Sequence, residues 1–156
     1  MVNLELARTA NEAMKQQVEQ QKQACIDEMR KLAEIWKEER DRQYRLGEKG
    51  SLQLIIRYRP ATQNKSPEAS WYRLYNIQTA AGKKPRSTYL ARGKSFRYPA
   101  KVFAKCENWE RNFVDYIEPE LARCREVFAH LLAVEKTLAK LEATIAEDPK
   151  PMFSEE

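Results

Sequence analysis

The sequence predicts an α+β protein in which two long amphipathic helical segments flank a small antiparallel β-sheet. Three observations predict it. Residues 3–46 contain neither glycine nor proline. From Ser51 the texture changes to short aromatic and β-branched runs separated by proline and glycine. After Pro99 apolar residues again recur at helical spacing, as far as Glu147. A chain of 156 residues is the size of one structural domain.

The first helical segment, residues 1–47, is rich in strong helix formers. Leu4, Ala7, Met14, Val18, Cys25, Leu32 and Trp36 form an apolar stripe with Met29 beside it, interrupted by Asn11 and Gln21. Gly47 and Gly50 end it. The second unit, residues 51–99, is a basic, aromatic sheet insert. Leu52–Arg59 alternates as a strand, with Leu52, Leu54, Ile56 and Tyr58 on one face, and Pro60 stops it. A polar loop follows over 60–69. Trp71–Ile77 reads as the second strand, and Thr79–Ser87, with Gly82 and Pro85, as a basic loop. Residues 88–92 and 95–98 suggest a hairpin around Arg92-Gly93-Lys94; alternatively 88–92 is one helical turn capped by Ser87. The third unit, residues 100–147, is helical, and Pro119 either kinks one long helix or starts a second. Residues 148–156 read as a disordered tail. The two helical stripes either pair with each other as an antiparallel hairpin or form a homodimeric coiled coil.

Composition narrows the function. Charged residues make up 33%, mean hydropathy is −0.77, and hydrophobic residues reach 42%. This fits a partly elongated helical protein better than a disordered chain. No apolar run approaches the ~20 residues of a membrane span. The N-terminal residues lack a signal pattern. Cys25, Cys106 and Cys124 are an odd, widely spaced set, which suits free thiols packed as small hydrophobes in a reducing compartment. A cytoplasmic protein with no membrane partner is expected.

The net charge of +5 hides a strong asymmetry. From Arg57 to Lys105 there are twelve bases and one acid, Glu68, or +11; the remainder carries −6. Solvated surfaces usually mix signs, so this segment points to a polyanion. Eight of the fifteen aromatics lie in 51–105, interleaved with arginines as Arg57-Tyr58-Arg59, Trp71-Tyr72-Arg73 and Phe96-Arg97-Tyr98. Arginine offers a planar fork to phosphate or to guanine edges, and aromatic rings can stack unpaired bases. Trp71, Tyr75 and Phe96 could equally form the core of the sheet. The candidate DNA-binding residues are Arg57, Arg59, Arg73, Lys83, Lys84, Arg86, Arg92, Lys94, Arg97 and Lys101. Strand arginines are expected to read bases, and Lys83, Lys84 and Arg86 to hold phosphate from a loop.

The sequence offers little to an enzyme. His130 is the sole histidine, so multi-histidine metal sites and the histidine pairs of many DNA-nicking enzymes are excluded. Glycine occurs only at positions 47, 50, 82 and 93, which leaves no glycine-rich phosphate loop. No metal, cofactor or catalytic residue is expected.

The run Thr88-Tyr89-Leu90-Ala91-Arg92-Gly93-Lys94-Ser95-Phe96-Arg97-Tyr98-Pro99, followed by Phe103 and Trp109-Glu110 and preceded by Trp71-Tyr72-Arg73, resembles the MobI conjugative-transfer mobilisation proteins of integrative conjugative elements and broad-host plasmids. The resemblance covers roughly residues 50–115. It implies an accessory factor at the origin of transfer, acting beside a separate nicking relaxase. The expected function is therefore that of a relaxosome auxiliary protein binding DNA, double-stranded DNA in preference, at a specific site. The alternative is an adaptor whose basic face docks an acidic protein.

Overall fold

A computed structural model describes residues 4–58, 66–147 and 149–153. Its elements are helix α1 (Glu5–Arg45), strands β1 (Leu52–Arg57), β2 (Glu68–Thr79) and β3 (Gly82–Tyr89), a 3₁₀ turn (Ala100–Phe103) and helix α2 (Asn108–Ala146). The strands form one antiparallel sheet in the order β1-β2-β3. The predicted α+β arrangement, two helices flanking a small antiparallel sheet, is the arrangement found. Arg59 and most of the expected polar loop, residues 60–65, lie outside the described residues, as do Asp148 and residues 154–156 of the expected tail.

The two helices pair with each other. Lys15 meets Glu142 and Lys22 meets Glu135, each at 2.9 Å, while Trp36 stacks on Trp109 with ring centroids 5.6 Å apart. The ascending residue on one helix meets the descending residue on the other, so the pair is antiparallel. α1 spans 41 residues, or about 60 Å. It ends in a left-handed cap. Gly47 has φ +85° and donates its N–H to Tyr44, while Glu48 donates to Gln43. Glycine takes this conformation without the Cβ clash other residues meet. α2 begins with a reciprocal cap between Glu107 and Glu110. It continues through Pro119, so the second-helix alternative does not hold.

The sheet sits at the end of the helical pair where α1 finishes and α2 begins. Leu52, Leu54, Ala69 and Trp71 share a buried face with Met29, Leu32 and Trp36 of α1 and Val114, Ile117 and Leu121 of α2. Trp36 is the hub. It meets Trp71 edge-on at 5.0 Å and packs against Phe113 at 5.8 Å. A smaller cluster, Val18, Leu131 and Leu138 with Cys25 against it, joins the helices further along. The expected α1 stripe needs amendment. Asn11, Lys22 and Ile26 are buried, whereas Leu4, Met14 and Gln21 are exposed.

Two expectations about strands are corrected. The stretch 82–89, expected as a basic loop for all but its end, is strand β3. It is joined to β2 by a tight turn at Ala80-Ala81, after which Gly82 takes φ +109°. β3 escaped notice because it is an edge strand exposed on nearly every residue, so no apolar alternation marks it. Pro85 fits there because an edge strand needs no donor on its outer side. The expected hairpin over 88–98 is absent, and residues 90–99 are irregular around Gly93 at φ +80°. Backbone groups there are satisfied by side chains: Glu118 accepts from the Tyr98 N–H at 3.1 Å, and Arg125 donates to the Phe96 carbonyl at 2.6 Å. Side-chain partners on α2 thus replace a strand ladder.

Candidate nucleic-acid interface

The register of the sheet sorts the basic residues. Residues paired across antiparallel strands share a face. Arg73 pairs with Thr88, Tyr75 with Arg86 and Ile77 with Lys84, so Arg73, Arg86 and Lys84 lie on one face of the β2–β3 ribbon. That face continues the one that buries Trp71, but runs out past the helices, where Tyr75, Lys84 and Arg86 are exposed. Lys83 pairs with Gln78 and lies on the opposite face, as does Arg57, whose guanidinium sits 5.8 Å from the centre of the Tyr72 ring. Tyr72 in turn meets Tyr89 edge-on at 5.7 Å.

A groove of about 560 Å³ opens between the root of this ribbon and the 3₁₀ turn. Arg73, Arg92, Lys101 and Lys105 line it together with Tyr89, Leu90, Pro99 and Val102; no acid does. Arg73 is half-buried and donates to the Val102 carbonyl at 3.4 Å, while its Nε has no hydrogen-bond partner. Arg92 donates to the Ser95 carbonyl at 2.6 Å. Beneath the groove, burial pushes the Cys106 thiol up from its ordinary value, against the opposing pull of Arg73.

The candidates therefore divide by place. Arg73, Arg92 and Lys101 converge on the groove, and Lys105 joins them. Lys84 and Arg86 extend that face along the ribbon. Lys83 and Arg57 stand on the reverse face. Lys94 and Arg97 are exposed on the irregular segment, where Arg97 borders a separate hollow containing Asp115 and Glu118. This revises the expected roles. Lys83, Lys84 and Arg86 are carried by a strand and not by a loop, and Arg92 and Arg97 are not on strands. Of the three rings that could have formed a core, only Trp71 is buried; Tyr75 and Phe96 are exposed.

Among the described residues, none of these bases takes part in an ion pair, whereas half of the helix cations do. Lys22 is held by Glu19 at 3.1 Å and by Glu135, Arg42 by Glu39, and Arg125 by Glu118. The contrast follows from composition, since Glu68 is the sole acid between Arg57 and Lys105. The unbalanced charge is thus collected on the ribbon and groove, where among the described residues it lacks carboxylate partners and is open to a polyanion.

The family model described as MobI protein matches residues 8–139. The chain belongs to the MobI family. MobI is a mobilisation-associated family, and its match takes in most of both helices as well as the sheet, well beyond the motif region around 50–115. No curated protein and no solved structure matches the chain. Among the described residues of this MobI protein, no helix is long and apolar enough to cross a membrane.

Sequence reasoning missed the residues that hold the interface in place. Glu118 and Arg125 are buried, with a 2.5 Å contact between them. Glu118 also accepts from the Trp71 indole N–H at 2.8 Å, and Arg125 donates to the Ala69 carbonyl at 2.9 Å. Glu110 accepts from the N–H groups of Ser51 and Leu52 at 3.0 and 2.8 Å. A signal was present: Glu118 and Arg125 stand two helical turns apart beside the apolar stripe, where a charge needs a partner. His130 is exposed and stands 3.8 Å from Glu126.

Proposed function

We propose that this MobI protein is a non-enzymatic DNA-binding auxiliary of conjugative mobilisation, acting in the cytoplasm at the origin of transfer beside a separate relaxase. The observation that carries the reading is the set of bases without ion-pair partners on the ribbon and groove, where the helices pair half of theirs. A two-stranded ribbon is slim enough for the major groove of duplex DNA. Lys84 and Arg86 on one face and Lys83 on the other would meet the phosphates flanking it. Double-stranded DNA is therefore the favoured ligand.

The helical pair would serve as the mount, and a homodimer would form along it. Internal pairing leaves Val127, Val134 and Leu141 at seven-residue steps on α2, each 40–45% exposed, the spacing of a helix–helix seam.

Binding to duplex fragments at several salt concentrations tests the proposal. With four to six bases on phosphate, log affinity should fall with log salt at a slope of about −4 to −5. Absence of binding at low salt, with an acidic protein held instead, would favour the adaptor reading.

A further inference from the structure

We infer that the groove beside the ribbon receives the acidic tail, residues 147–156, of a second copy of this chain. The docking stands apart from the DNA-binding reading, and its geometry rests on the homodimer proposed above.

The groove presents two chemistries. Arg73, Arg92, Lys101 and Lys105 supply positive charge, with no acid in the lining. Leu90, Pro99 and Val102 supply an apolar wall in a space of about 560 Å³. The phosphates of a duplex would meet the cations and leave the wall without a partner, because duplex bases stay stacked inside. A peptide that carries carboxylates next to apolar side chains meets both.

The chain carries such a peptide. Glu147, Asp148, Glu155 and Glu156, set against Lys150, give residues 147–156 a charge of −3. Between the acids stand Met152 and Phe153, 90% and 80% exposed. Opposite charge and matching apolar surface make tail and groove complementary.

The tail cannot enter the groove of its own chain. The groove lies at the start of α2, and the tail leaves the far end, 39 residues later, or ~58 Å away. Ten extended residues span at most ~36 Å. A second copy is therefore the donor. Antiparallel pairing along the exposed Val127, Val134 and Leu141 supplies it. Centred on Val134, that pairing sets Ala146 of one copy level with Ala122 of the other. From Ala122 back to Asn108, where α2 begins, is ~21 Å. Residues 147–153 cover ~23 Å when extended. Phe153 thus arrives level with Asn108, beside Lys105 of the groove. The exchange is mutual, so the assembly closes at two copies.

The test uses the full chain as an exchanged mixture of isotope-labelled and unlabelled copies. A carbodiimide then joins touching carboxylates and amines without a spacer. Mass spectrometry should find Glu155 or Glu156 joined to Lys101 or Lys105, with labelled-to-unlabelled links as frequent as the others. Replacing both apolar side chains, Met152→Ser with Phe153→Ser, should lower the yield about ten-fold. An unchanged yield would reduce the contact to charge attraction and overturn the groove assignment. Links confined to single copies would overturn the second copy as donor. A dimer by light scattering without these links would overturn the docking and leave the helical seam standing. A monomer without them would reject seam and docking together.

Discussion

Glu118 illustrates how single residues set the shape of the basic surface. Its carboxylate is buried between the Trp71 indole, the Tyr98 N–H and Arg125. It therefore ties β2 and the irregular segment to the middle of α2. Glu118→Ala would leave Arg125 buried without its counter-charge, at a cost of about 3–5 kcal/mol. Urea unfolding should show this loss, and adding Arg125→Met should restore part of it. If the single variant is as stable as the parent, the pair does not anchor the segment. The thiols give a second residue-scale expectation. Burial pushes Cys124 from 9.0 up to about 11, and Cys25 and Cys106 are also raised by burial. The unfolded chain releases the Cys124 proton at a lower pH than the folded one, so this group costs no stability below pH 9.0 and lowers it as pH rises toward about 11. Denaturation midpoints across that window should fall, and less steeply in Cys124→Ala. At mildly alkaline pH a thiol reagent should label half-buried Cys25 before buried Cys106 and Cys124.

At the level of elements, Gly50 decides how closely α1, β1 and α2 can meet. A Cβ there would lie 2.7 Å from the Trp109 ring and 3.1 Å from Tyr44. Trp109 is held in place by its bond to the Lys49 carbonyl at 2.7 Å. Gly50→Ala should therefore cost about 1–3 kcal/mol by overpacking, seen as a lower melting temperature with unchanged secondary structure. An unchanged melting temperature would mean that the Trp109 ring gives way freely. The elements also show what a sequence reveals. α1, α2, β1 and β2 were legible because each buries a face, and burial leaves a period in the sequence. β3 buries nothing, so only its partner β2 could have disclosed it. Residues 90–99 misled for the opposite reason: their glycine turn is present, but their partners lie on α2, about twenty to thirty residues away.

Over the whole molecule, charge and packing are segregated. Half of the cations on the two helices are ion-paired, whereas among the described residues none between Arg57 and Lys105, at the sheet end, is. The basic character of that end was legible from residue counts alone. The convergence of Arg73, Arg92, Lys101 and Lys105 was not, because it depends on the 3₁₀ turn folding back against β2. The arm's remaining apolar line, Val127, Val134 and Leu141, leads to an expectation about mass. Light scattering at micromolar concentration should give twice the 18.3 kDa of one chain, and Val134→Lys should return it to a monomer. A monomeric parent protein would assign these residues to the surface alone. The outer side of β3 has one more consequence. An unpaired strand edge invites sheet-to-sheet growth into fibrils, and lysine, arginine and proline along it are common safeguards. Lys83, Lys84, Pro85 and Arg86 occupy that edge. Charge removal by alanine, the obvious way to abolish polyanion binding, would also strip this protection. A cloudy preparation could then be mistaken for a misfolded variant, whereas glutamate at the same positions would block DNA and keep the edge repulsive.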